Sequence, residues 1–131
     1  MRIVICDDVP ELRELVRYAL EEDLEQVVVG EAGDGVEAVE RVRDLRPDVV
    51  VLDLSMPSMD GLQAIRVLHE AAPRTGIVVF TGFGSPSIRN QALSLGADAY
   101  VEKGADLDEL RSAVSGAGRR KVALRSGSAG A

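Results

Sequence analysis

Five residues in this 131-residue chain carry groups that can do chemistry together: the adjacent carboxylates Asp7 and Asp8, the carboxylate Asp53, the hydroxyl of Thr81 and the ammonium of Lys103. Each closes or directly follows a short apolar run. Two carboxylates about 4 Å apart repel by roughly 4 kcal/mol at an effective dielectric near 20. Three converging carboxylates therefore need positive partners. Lys103 brings one charge, and a hard divalent cation brings two more. Oxygen-only donors completed by water suit Mg2+, with Mn2+ as a substitute; Zn2+ prefers His or Cys, and neither is placed for it. A carboxylate beside such a cation, a lysine and a hydroxyl is equipped to attack a phosphoryl group and form an acyl phosphate. Asp53 is the expected nucleophile, with Lys103 and Thr81 on the phosphoryl oxygens.

These residues converge only if the apolar runs lie side by side. The runs are Arg2–Cys6, Val27–Glu31, Asp48–Asp53, Ile77–Thr81 and Ala99–Glu102. Three of them are continuously apolar at their centres (Ile3-Val4-Ile5, Val49-Val50-Val51-Leu52, Ile77-Val78-Val79-Phe80), as expected of parallel strands covered on both faces. Between them lie helical stripes: Leu12, Leu15, Val16 and Ala19 after Pro10; Val36, Val39 and Val42 after Gly35; Leu62, Ile65, Leu68 and Ala72 before Pro73. Ile88, Ala92 and Leu95 end at Gly96, and Leu107, Leu110 and Val114 follow a capping Asp106.

Five strand–helix units imply an α/β doubly wound, three-layer sandwich with a parallel five-stranded sheet of order 2-1-3-4-5. Ligands bind such sheets at the carboxyl ends of the strands, where the five candidate residues fall. Strand 2 offers only Glu31 there. After Gly116 the pattern stops, so residues 118–131 read as a flexible, partly basic tail or truncated linker behind a 1–117 domain.

Composition narrows the function classes. Aromatic residues make up only 3% of the chain, so the core must be aliphatic. The last 13 residues hold four basic residues and no acid, so the first 118 carry −11 against −7 for the whole chain. That charge repels phosphate backbones and argues against nucleic-acid binding by this chain. The single cysteine, Cys6, suits a reducing compartment and a small core position. No apolar run approaches the roughly 20 residues of a membrane helix, and no signal peptide is visible. The expectation is cytoplasmic, without a membrane.

Taken in order, Asp7-Asp8, Leu52-Asp53-Leu54-Ser55-Met56-Pro57 with Met59-Asp60-Gly61, Thr81-Gly82 and Lys103 resemble bacterial two-component response-regulator receiver domains over about residues 1–117. Gly104 stands where most receivers have proline after the lysine. That feature, with Gly30-Glu31-Ala32 before Asp34-Gly35, resembles the subgroup preceding LuxR-type helix-turn-helix output domains, and it gives no ground for expecting a cis peptide at Lys103–Gly104. Ser58 is the second departure, at a loop position where glycine is common.

The resemblance implies a flavodoxin-like (βα)5 fold and a phosphorylation-dependent switch that is not an enzyme in its own right. A sensor histidine kinase would be the phosphoryl donor. Asp8, Asp53 and the Ser55 carbonyl would bind the metal directly and Asp7 mainly through water. Thr81 and Tyr100 would be switch residues acting on the face of the fourth helix, fifth strand and fifth helix, with a homodimer on phosphorylation. The chain would be a stand-alone receiver or part of a transcription factor. Two rivals are a degenerate receiver that binds partners without phosphate, and a phosphohydrolase of the haloacid dehalogenase type. The latter wants a second aspartate where this chain has Ser55. Phe83 is expected to affect phosphoryl lifetime by lying on the path of an attacking water.

Overall fold

The computed structural model describes residues 1–82 and 84–130, with side chains for residues 1–82 and 84–121; Phe83, and with it the lifetime expectation, lies outside the described residues. Its elements alternate in order: β1 (Arg2–Cys6), α1 (Pro10–Glu21), β2 (Val27–Ala32), α2 (Gly35–Leu45), β3 (Val49–Leu52), α3 (Gly61–Ala71), β4 (Gly76–Thr81), α4 (Pro86–Leu95), β5 (Ala99–Glu102) and α5 (Leu107–Gly130). All strand pairs are parallel and the order is β2-β1-β3-β4-β5. The fold is the expected flavodoxin-like three-layer sandwich.

The continuous apolar runs explain the layering. Successive side chains of a strand point to opposite faces. Ile3, Ile5, Val49, Val51, Val78 and Phe80 therefore enter one layer with Val16 and Leu20 of α1 and Leu110, Val114 and Ala117 of α5. Val4, Cys6, Val50, Leu52, Ile77 and Val79 enter the other, with Ala38, Val39 and Val42 of α2, Ala64, Ile65 and Leu68 of α3 and Ala92 of α4. Both layers are almost wholly aliphatic, as the composition requires. Fully buried branched side chains each contribute roughly 1.5–3 kcal/mol.

Helix starts are set by side-chain caps. Asp34, Asp60 and Ser85 accept hydrogen bonds from the amides of Glu37, Leu62 and Ile88, and Asp106 accepts one from Asp108. The exception is α1, whose N-cap is Val9 with no side-chain cap and with Pro10 in its first turn. Neither Asp7 nor Asp8 is used up in capping that helix.

Three details differ from expectation. Leu15 and Val36, counted on the apolar stripes, are 47% and 45% exposed, while Leu20 and Ala38 are buried in their stead. A spacing rule marks a wide arc of a helix, and the tilt of each helix on the sheet selects which part of it is covered. The second difference is at strand ends: β3 stops at Leu52, leaving Asp53 just beyond it, and β2 extends to Ala32. The third is the carboxyl terminus. No element ends at residue 117; α5 continues through Gly130 where a structureless tail was expected.

Packing accounts for the helical continuation as far as Lys121. Gly116 and Gly118 each disfavour a helix by about 1 kcal/mol relative to Ala, but Ala117 is fully buried. It sits so close to β4 that a Cβ at Gly76 would lie 3.1 Å from its own Cβ. A Cβ at Gly118 would collide with Met1. One turn on, buried Lys121 donates to the Pro73 carbonyl at 3.2 Å and pairs with Asp98 at 3.7 Å.

The loop from β3 to α3 has its own constraint. Ser58 has φ 72°, in the left-handed region that favours glycine. Its hydroxyl compensates by donating to Asp34 Oδ1 at 3.1 Å and accepting from the Val36 amide at 3.4 Å, which ties the loop to the start of α2. No cis peptide occurs among the described residues. Ser58→Ala keeps the strained backbone and loses both hydrogen bonds, so chemical denaturation should show a loss of about 1 kcal/mol. Ser58→Gly, which relieves the strain, should lose less than Ser58→Ala.

Cys6 is 1% exposed, packed in the layer covered by α2, α3 and α4. Burial, with Glu37 and Asp7 adding, pushes its thiol far above the usual range. A maleimide should label Cys6 rapidly in denaturant and scarcely at all in the native protein, read by intact mass; rapid native labelling would show that β1 opens.

Candidate functional site

The sheet ladders deliver the site residues. β1 and β3 are neighbours with Cys6 paired to Leu52, so the next residue of each strand, Asp7 and Asp53, emerges side by side. Three backbone bonds extend the ladders past the strand ends: Asp53 N–H to Cys6 O at 2.9 Å, Asp7 N–H to Ala32 O at 3.0 Å, and Lys103 N–H to Thr81 O at 2.9 Å. Thr81 closes β4 and Lys103 follows β5. The candidate side chains thus hang from the ends of buried, backbone-paired parallel strands.

Asp53 is 2% exposed and heavily hydrogen-bonded. Its Oδ1 accepts from Thr81 Oγ1 at 3.0 Å and its Oδ2 from Lys103 Nζ at 3.1 Å. Ser55 Oγ reaches both carboxylate oxygens at 3.1 Å, and the Ser55 amide donates to Oδ1 at 3.2 Å. Asp7, 4% exposed, accepts from the Val9 amide at 2.9 Å and pairs with Lys103 Nζ at 2.7 Å. Burial of Lys103 opposes its charge, but hydrogen bonds and attraction from Asp7 and Asp53 outweigh it, and its pKa rises. The ammonium is held between two buried carboxylates and stays charged.

Asp8 is exposed, yet it offers a carboxylate oxygen to the same cluster: one oxygen each of Asp7, Asp8 and Asp53 lies within 4.8 Å of the others. Among the described residues no His or Cys joins this group. Three carboxylates, one of them open to solvent for water ligands, fit a hard divalent cation such as Mg2+ or Mn2+. Tyr100 lies apart from this cluster in its role. It is half-buried on β5, packs against the α2–α4 layer and shares a sheet face with Val79, its register partner, and hence with Thr81. Burial raises its phenol pKa. His69 is exposed on α3, as a surface histidine should be.

Two features escaped the sequence. One is the Ser55 side chain, for which only a carbonyl role was expected, because a hydroxyl's rotamer is not legible from spacing. The other is Arg13, whose Nη1 donates to the Asp7 carbonyl at 2.6 Å while its Nε bonds Glu31 Oε1 at 3.0 Å. The available signal was the i, i+4 pair Arg13 and Arg17, with Glu31 the acid at the end of the second apolar run.

Comparison with known proteins agrees with this geometry. The family model described as response regulator receiver domain matches residues 3–115. The chain is 42% identical over 112 residues to the uncharacterized transcriptional regulatory protein YhcZ of Bacillus subtilis, covering 84% of this chain but 51% of that protein. The chain therefore spans about half the length of this relative. Among solved structures, the signal receiver domain of NarL from Mycobacterium tuberculosis superposes with a TM-score of 0.83 at 36% identity, covering 90% of this chain and 95% of that one. A LuxR-family two-component response regulator from Aurantimonas sp. superposes with a TM-score of 0.84 at 35% identity, covering 88% and 82%. No helix of the described residues is long and apolar enough to cross a membrane. With the family model spanning nearly all of the five strand–helix units, and the carboxylate, hydroxyl and lysine gathered at the sheet's carboxyl edge, the chain belongs to the response regulator receiver domain family.

Proposed function

We propose that this chain is a phosphorylation-dependent switch of a two-component system, taking a phosphoryl group from a sensor histidine kinase onto Asp53. The observation that supports this reading best is the set of contacts to one buried carboxylate: Thr81 Oγ1 on one oxygen and Lys103 Nζ on the other. A structural aspartate needs no more than a cap or a salt bridge. This one is surrounded by donors suited to the oxygens of a tetrahedral anion.

In the proposed reaction an Oδ of Asp53 attacks phosphorus, forming the O–P bond of an acyl phosphate. The P–N bond of phosphohistidine breaks, and its electron pair returns to the imidazole. Ser55 Oγ, which touches both oxygens of Asp53, must release the attacking one. Lys103 leaves Asp53 for a phosphoryl oxygen while Asp7 holds it in place, and Thr81 turns its hydroxyl to another. Asp8, Asp53 and the Ser55 carbonyl, with Asp7 through water, would hold Mg2+, which supplies charge neutralisation for the incoming phosphoryl group.

Thr81 ends β4 and Tyr100 stands on the adjacent β5, on the same sheet face. Withdrawal of Thr81 toward the phosphoryl group frees space that Tyr100 can fill, which would change the α4–β5–α5 surface and partner binding, including a second copy. The name of the Bacillus subtilis relative, a transcriptional regulatory protein, supports a transcriptional output for this switch.

The test is intact-protein mass after incubation with Mg2+ and acetyl phosphate or phosphoramidate. One phosphoryl group should be gained, none in Asp53→Asn and none with EDTA. No gain by the folded wild type with either donor would overturn the switch in favour of a phosphate-independent interaction module. A gain by Asp53→Asn would mean another residue is the acceptor. In the same time course Lys103→Ala should slow phosphorylation on the order of 100-fold at equal Mg2+, the usual cost of removing one preorganised donor.

A further inference from the structure

Asp8 presents a puzzle. Asp7 and Asp53 are each held by several hydrogen bonds, but among the described residues none is made to the Asp8 carboxylate, and Asp8 is exposed. It does not cap α1, whose N-cap is Val9. Nothing beyond its own backbone aims this side chain at the acidic cluster, so the orientation of the peptide joining Asp7 to Asp8 decides where it points.

That peptide is held on its carbonyl side: the Asp7 carbonyl accepts from Arg13 Nη1 at 2.6 Å, while one peptide earlier the Asp7 amide donates to the Ala32 carbonyl of β2 at 3.0 Å. Arg13 is in turn held by Glu31, the neighbour of Ala32, through Nε at 3.0 Å. Glu31's second oxygen is taken by Arg17 at 2.7 Å, so the acid cannot easily swing away. Arg13 is 20% exposed and Glu31 33%, and a guanidinium presents its donors in a rigid planar fork. One end of that fork is anchored to the sheet edge and the other fixes the carbonyl leading into Asp8.

Building on the cation site of the proposed function, we infer that Arg13, braced by Glu31, is a positioning residue for Asp8. It acts through the Asp7–Asp8 peptide and sets the direction of the carboxylate that completes the site. The charges distinguish this role from a simple field effect. Removing a cation near three carboxylates would by itself tighten Mg2+ binding, whereas losing the brace loosens the ligand and weakens it.

The experiment is calorimetric titration of the full chain with MgCl2, backed by amide NMR of Asp8 and Val9. The wild type should bind Mg2+ with shifts at both amides. Arg13→Gln should raise the Mg2+ dissociation constant on the order of tenfold, the lower end of what loss of an outer-shell partner costs, while thermal melts without Mg2+ confirm that it is folded. Glu31→Gln, which keeps an acceptor for Arg13, should fall between the two. Arg17→Gln, which frees one Glu31 oxygen but keeps the Arg13–Glu31 bond, should raise the constant by less than Arg13→Gln does. An unchanged or tighter constant for folded Arg13→Gln would overturn the inference and leave the proposed function standing. Absence of Mg2+ binding by the wild type would overturn both.

Discussion

Everything at the functional edge of this protein depends on holding two buried carboxylates, Asp7 and Asp53, next to each other. Their mutual repulsion is roughly 4 kcal/mol at close range and an effective dielectric near 20, and burial adds a desolvation cost. Lys103 offsets both by placing one ammonium 2.7 Å from Asp7 and 3.1 Å from Asp53. Remaining lone pairs are met by Thr81, Ser55 and the Val9 amide. In the proposed phosphotransfer the Thr81 and Lys103 bonds to Asp53 are ones that a phosphoryl group would take over.

Such an arrangement needs a frame that does not yield to the repulsion. A parallel sheet covered on both faces supplies it, because the strands ending at the site are anchored by aliphatic layers above and below. The backbone ladder continues one residue past β1, β3 and β5, so the acids and the lysine are fixed at the backbone before any side-chain contact forms. Of the three acids, Asp8 is the exposed one and sits on the loop beyond β1. Through the Arg13–Glu31 pair β2 also reaches the Asp7 carbonyl that leads into that loop.

The continuation of α5 shares a cause with the loop around Ser58. Local propensity opposes a helix through Gly116 and Gly118 and opposes a left-handed serine, and in each case a long-range contact outweighs it. The buried Ala117 and Lys121 draw α5 along the amino-terminal edge of the sheet. At Ser58, the hydroxyl's bond to Asp34, 24 residues away in sequence, makes a conformation tolerable that glycine would adopt freely.

The sequence by itself determined the class of fold, the strand order and the gathering of Asp7, Asp8, Asp53, Thr81 and Lys103. Each follows from a periodic pattern or from position at a strand end, and both are local properties that a parallel sheet converts into neighbourhood. It did not determine which stripe residues are buried, as Leu15 and Val36 show, nor how far α5 runs, because these depend on how helices tilt and what they meet. The rotamer of Ser55 and the reach of Arg13 to the Asp7 carbonyl were equally hidden. A polar side chain takes its direction from partners that only the folded chain brings within hydrogen-bond reach. Backbone order is written along the chain, whereas the aim of individual polar groups is settled by what the fold sets beside them.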